Sequence, residues 1–92
     1  MTAAVASHQA DPARRRRLRW RARRGLLEND LVLSRFLQEH EDRLTDDEVE
    51  GLDELLDLGD NELLDLILSR RQLEGAAATA QALRVLEMLR AA

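Results

Sequence analysis

The chain has 92 residues, with 14 arginines, no lysine, 18 acids and a net charge of −4. Cysteine and tyrosine are absent, and Trp20 and Phe36 are the only aromatic residues, which excludes a disulfide framework, iron–sulfur ligation and a thiol nucleophile. Apolar runs fall far short of the ~18–20 residues needed to cross a bilayer, so no membrane insertion is expected, while 45% hydrophobic residues suffice for one small core.

Met1–Ala10 is small and polar without an apolar period and reads as a disordered tail, leaving 11–92 as one helical domain. It lacks the apolar stretch of a secretory signal. The first 24 residues resemble a mitochondrial transit peptide in composition, but cleavage there would remove Trp20 and the start of the best motif. Asp11-Pro12 is a helix start, since Asp can accept from exposed N–H groups and Pro suits the first helical position. A first helix is predicted from about Ala13 to Arg24, ended by Gly25 in the left-handed conformation. A second is predicted over Leu27–His40, with Leu26, Leu33 and Leu37 on its apolar face and Leu27, Leu31 and Phe36 beside them. Thr45-Asp46-Asp47-Glu48 fits a capping box and starts a third helix that buries Val49, Leu52, Leu55 and Leu56 and stops at Gly59. Asp60 is read as the cap of a fourth helix carrying Leu63, Leu64, Leu66 and Ile67. Gly75 breaks the chain, and a fifth helix runs from Ala76 to Leu89 with Leu83, Leu86 and Leu89 spaced by three. No stretch alternates as a strand does. The expected fold is all-α: a small, mostly antiparallel five-helix bundle, monomeric.

Charge is segregated. Eight arginines and no acid lie between Arg14 and Arg24, whereas thirteen acids oppose the single base Arg43 between Glu39 and Asp65. Such a surface could orient an encounter with a partner, or the two regions could simply attract each other. The arginine run would suit a small nucleic-acid-binding or toxin–antitoxin-type regulator, but the acidic body would repel a duplex, so nucleic acid is not the expected partner.

Catalytic and metal-binding readings fail on spacing. His40, beside Glu39, Glu41 and Asp42, lacks a spaced ligand set. Asp57-Leu58-Gly59-Asp60-Asn61 places its glycine at the third position of a calcium loop rather than the sixth, and Leu68 stands where a bidentate acid is required. No phosphate-cradling loop or Ser–His–Asp arrangement is present. Acid–base work by paired carboxylates needs a pocket that separates their pKa values, and short Leu- and Ala-rich helices offer none. No catalytic residue, no metal site and no enzyme activity are expected.

What remains is the segment from Trp20 to Asp30. Gly25 allows a sharp turn or the close approach of another backbone, and Arg24 and Glu28 flank it with opposite charges. A helix-capping glycine beside a local Arg24–Glu28 ion pair and a partner-binding turn both satisfy these residues.

In its ordered context this segment resembles the FAD assembly factors of succinate dehydrogenase, the SdhE-like flavinators. The resemblance rests on Arg24-Gly25-x-x-Glu28 after a helix containing Arg and Trp20, followed by Asp30 and an apolar helix. It continues through Phe36, Glu39-His40-Glu41, Leu44, Asp46-Asp47-Glu48, Leu55-Leu56 and Asp60, covering about 17–68. Leu66 stands where members often carry Trp, with Leu64 nearby, and Leu52 where an aromatic is frequent. The resemblance implies a cytoplasmic bacterial assembly chaperone that binds the flavoprotein subunit of succinate dehydrogenase, and often of fumarate reductase. It would promote covalent attachment of FAD to that subunit. FAD then belongs to the partner, and no tightly bound cofactor is expected here. Arg24, Gly25 and Glu28 would face the partner, with Trp20, Arg23 and Asp30 as flanking contacts.

Overall fold

The computed structural model describes residues 7–92, and among them there are five α-helices and no strand. They are α1 (Pro12–Arg21), α2 (Leu27–His40), α3 (Asp46–Leu56), α4 (Asp60–Ile67) and α5 (Ala80–Ala91), with short 3-10 turns at Glu41–Arg43 and Gly75–Ala77. The tail expected over Met1–Ala10 divides. Its first six residues lie outside those described, while Ser7–Ala10 forms a turn against the start of α3. There the His8 N–H donates to the Asp46 carboxylate at 2.8 Å, and the Gln9 amide donates to the carbonyls of Glu41 and Leu44 at 2.7 and 3.0 Å. His8 is buried, and burial first, then the Arg14 and Arg15 guanidiniums, hold its imidazole below its ordinary value.

Helix α1 starts as expected, with the Asp11 carboxylate accepting from the N–H groups of Ala13 and Arg14 and Pro12 in the first turn. It ends earlier than the sequence suggests. Ala22 is the C-cap, and Gly25 does not adopt the left-handed conformation. There the Arg24 N–H donates to the Asp30 carboxylate at 3.2 Å instead of to an upstream carbonyl, and the tertiary pull is on its guanidinium, which is drawn to Asp60 and to the carbonyls of Leu56 and Leu58. Only Leu18 of α1 and its C-cap Ala22 enter the core.

Helix α2 has the predicted bounds, but not the predicted faces. Leu33 and Phe36 are buried and Leu37 packs partly against them, whereas Leu27 and Leu31 are exposed. Asn29 takes a fully buried position instead. Thr45 and Glu48 form the reciprocal capping box of α3, at 3.1 and 3.0 Å, and Val49, Leu52, Leu55 and Leu56 are buried as expected. Leu52 and Leu66, the positions where aromatic residues were noted as frequent, are fully inside the core.

Asp60 is not a cap. Gly59, in an extended conformation, holds the N-cap position of α4, and Asp60 is the first helical residue, with its carboxylate turned to Arg24. Helix α4 ends at Leu68, followed by Ser69 at φ 62°, where its own N–H donates to Leu66 and the N–H of Arg70 donates to Asp65. Gly75 does break the chain, with φ 67°, but α5 begins only at Ala80, because the Thr79 hydroxyl accepts from the Ala82 N–H and caps it there. Its buried face is Ala82, Val85, Leu86 and Leu89, and Leu83 is exposed. Helices α3 and α5 form the most extensive pairing of the bundle. They meet at Gly51, where an added β-carbon would stand 2.6 Å from the backbone carbon of Gln81.

Candidate functional site

The segment joining α1 to α2, residues 22–26, lies over the junction of α3 and α4. Arg24 stitches it there. Its Nε donates to Asp60 Oδ1 at 2.7 Å, one terminal nitrogen donates to the Leu56 carbonyl at 2.9 Å, and the other to the Leu58 carbonyl at 2.7 Å. Two of those acceptors are carbonyls at the last residue of α3 and just beyond its C-cap, so the guanidinium ties off the end of one helix while pairing with the first residue of the next. Asn29 adds a second stitch by donating its amide to the Asp60 carbonyl at 2.8 Å. Residue 60 is thus bound twice, through its carboxylate by Arg24 of the segment and through its carbonyl by Asn29 of α2.

These bonds separate the six residues expected at a partner surface. Arg24, with its side chain 15% exposed, and Asp30, which receives the Arg24 N–H, are turned into the chain. Gly25, Glu28, Trp20 and Arg23 are exposed. Trp20 is 74% exposed and has the Arg23 guanidinium over its ring, 5.5 Å from the centroid. The local Arg24–Glu28 ion pair does not form: Arg24 pairs with Asp60, and Glu28 has no hydrogen-bond or ion-pair partner among the described residues. Gly25 has open surroundings, the nearest atom to an added β-carbon being Asp60 Oδ2 at 3.6 Å, an ordinary contact. Neither backbone conformation nor internal crowding requires glycine at this position.

Charge segregation is resolved partly within the chain. Arg15 pairs with Asp42 at 2.6 Å, Arg19 with Glu41, and Arg21 with Asp53 and Asp57 at 2.6 and 2.5 Å. Arg16, Arg17 and Arg23 have no carboxylate partner among the described residues, and with Trp20 they line a shallow, open concavity along α1. No group of three or more potential metal ligands occurs among the described residues. His40 stacks near Phe36, ring centroids 5.1 Å apart, rather than gathering ligands.

Sequence reasoning missed the exposure of Leu27 and Leu31, the burial of Asn29 and the pairing role of Asp60. Asn29 did carry a signal, as an amide interrupting an otherwise leucine-rich period. Asp60 lay within the resemblance, but no local rule connects it to Arg24, 36 residues away.

A family model described as the flavinator of succinate dehydrogenase matches residues 16–92, which include the whole stitched segment and the helices beneath it. The chain belongs to this family. A FAD assembly factor SdhE of Ralstonia nicotianae is 54% identical over 85 residues, covering 92% of this chain and 90% of that protein. One from Legionella pneumophila is 38% identical over 64 residues, covering 70% of this chain and 81% of that protein. A mitochondrial succinate dehydrogenase assembly factor 2 of Meyerozyma guilliermondii is 51% identical over 35 residues, covering 38% of this chain and 26% of that protein. All three relatives bear the name of assembly factors. No solved structure gives a significant match. No helix among the described residues is long and apolar enough to cross a membrane.

Proposed function

We propose that this flavinator binds the flavoprotein subunit of succinate dehydrogenase in the bacterial cytoplasm and promotes covalent attachment of FAD to it. Fumarate reductase, whose flavoprotein subunit undergoes the same attachment, is a second partner of the same kind. The chemistry belongs to the partner: its histidine nitrogen adds to the 8α carbon of the oxidised, tautomerised isoalloxazine, and the electron pair passes into the ring, which is left reduced. The flavinator supplies no reacting group, and FAD is carried by the partner. It accelerates bond formation by binding most tightly the partner conformer in which ring and histidine meet in a near-attack geometry. Differential affinity of this kind is the only leverage a binding protein has over a partner's conformation.

The observation that carries this reading is the exposed turn at Gly25. Its glycine answers no need of the chain itself, and the neighbouring Glu28 carboxylate has no partner among the described residues. Both features suit a surface completed by another protein. Gly25 and Glu28, flanked by Trp20 and Arg23, meet the partner, while Arg24 and Asp30 hold the turn from behind.

Covalent flavin in the subunit, read as in-gel fluorescence in cells lacking their own factor, tests this reading. Wild-type protein is expected to restore fluorescence. Gly25→Arg and Glu28→Ala are expected to lose most of it while their melting temperatures stay close to wild type. A folded Gly25→Arg protein that still supports flavinylation would remove the turn from the interface.

A further inference from the structure

Two leucines beside the turn face solvent although their helix has a well-formed buried side. Leu27 is 66% exposed and Leu31 50%, one turn apart on α2, and Glu28 lies within ~100° of both around the helix axis. The opposite side of the helix carries Asn29, Leu33 and Phe36 into the core. Of the large exposed hydrophobic residues among those described, Trp20, Leu27 and Leu31 flank the Arg24–Gly25 turn, and only Leu68 and Leu83 lie elsewhere.

Resting on the function proposed above, we propose that Leu27 and Leu31 are the apolar anchors of the interface. Their occupant is a surface of the flavoprotein subunit that offers an apolar recess with a cationic side chain at its rim. Three observations converge on that chemistry. The leucines are continuous with Gly25, whose missing β-carbon lets a partner backbone approach the start of α2. Glu28 sits at their edge without a cation among the described residues, although these carry all 14 arginines of the chain, so its charge complement comes from outside. The turn is held by Arg24 and Asn29, so the leucines are presented by a pre-ordered helix start and little ordering is needed on binding. A second copy of the chain fits less well. A two-fold axis through the leucines would place two unpaired Glu28 carboxylates together, which opposes association.

The test is calorimetric titration of the full-length protein with FAD-free flavoprotein subunit, comparing wild type, Leu27→Gln, Leu31→Gln, the double variant and Leu83→Gln. Gln keeps length and helix propensity, and thermal melting of each variant checks that the fold is retained. Each single change at Leu27 or Leu31 is expected to weaken binding at least tenfold, and the double change at least a hundredfold. Leu83→Gln, on α5, is expected to stay within twofold. A folded double variant that binds within twofold of wild type would overturn the assignment of the leucines and leave the functional reading standing. Wild-type protein that fails to bind the subunit would overturn that reading and the occupant with it. Sedimentation supplies the last arm: a wild-type dimer that becomes monomeric on the double substitution would place a second copy on this face and overturn the proposed occupant.

Discussion

Arg24 directs all of its guanidinium nitrogens into the chain, and the fork geometry is what makes this possible. A planar cation with donors on three nitrogens can meet Asp60 and two carbonyls at once, whereas a lysine ammonium on a flexible stem cannot span them. Arg24→Lys is therefore expected to lower stability by about 1–3 kcal/mol in urea unfolding, because the partly buried carbonyls of Leu56 and Leu58 lose their donors. Glu28→Gln, exposed and unpaired, is expected to change it by only a few tenths. Ser69 gives the opposite case, a residue strained where it stands. At φ 62° it occupies the conformation that follows many helix ends, and a β-carbon there is unfavourable. Ser69→Gly is expected to raise stability by about 0.5–1 kcal/mol, read as a shift of the urea midpoint at unchanged slope.

At the level of elements, the contact of α3 with α5 is set by Gly51. An alanine methyl would run into the backbone of Gln81, so two helices must separate to admit it. Gly51→Ala is expected to destabilise by about 1–3 kcal/mol. Gly25→Ala, which meets only ordinary contact distances at a turn without left-handed φ, is expected to cost less than about 1 kcal/mol. Equal melting temperatures for the two variants would show that α3 and α5 adjust freely. The same helix pair is tied by Glu48, whose Oε2 accepts from Arg84 Nε at 2.9 Å while Oε1 completes the capping box. Burial pushes this carboxyl up, but the bonds from the Thr45 backbone and the Arg84 guanidinium outweigh it and hold the pKa below its ordinary 4.5. The sign follows: a carboxylate depressed in the folded state contributes stability that is complete above pH 4.5 and is lost as pH falls through the folded value. Unfolding free energies measured from pH 7 to pH 3 should fall less steeply for Glu48→Gln than for wild type.

Across the whole molecule, charge is arranged so that α1 is held by ion pairs more than by core. Leu18 and the C-cap Ala22 are its only buried apolar residues, and Arg15, Arg19 and Arg21 bind it to the acids of the Glu41–Arg43 turn and of α3. Partly exposed pairs of this kind are screened by salt. Amide exchange over Pro12–Ala22 is expected to quicken between low salt and about 0.5 M salt, while exchange in α3 and α5 stays constant. Uniform acceleration across all helices would mean that α1 unfolds only with the core.

The amino-acid sequence by itself determined whatever is decided within a turn or two of chain. The Asp11-Pro12 start and the Thr45–Glu48 capping box are local, because the groups that satisfy them lie within a few residues, and the bounds of α2 and the buried face of α3 follow the spacing of apolar residues along the chain. The family was legible too, because its motif is an ordered series of residues and not a single match. The early end of α1, the direction of Arg24, the burial of Asn29 and the exposure of Leu27 and Leu31 were decided only by tertiary structure. Arg24 had a nearby acid in Glu28, yet its guanidinium lies with Asp60, Leu56 and Leu58, more than thirty residues away. An exposed local ion pair is worth well under ~1 kcal/mol, whereas the distant site offers a carboxylate and two carbonyls that would otherwise lack donors. That difference exists only once α3 and α4 have packed. It turns Arg24 inward and leaves Gly25, Glu28 and the two leucines on the surface.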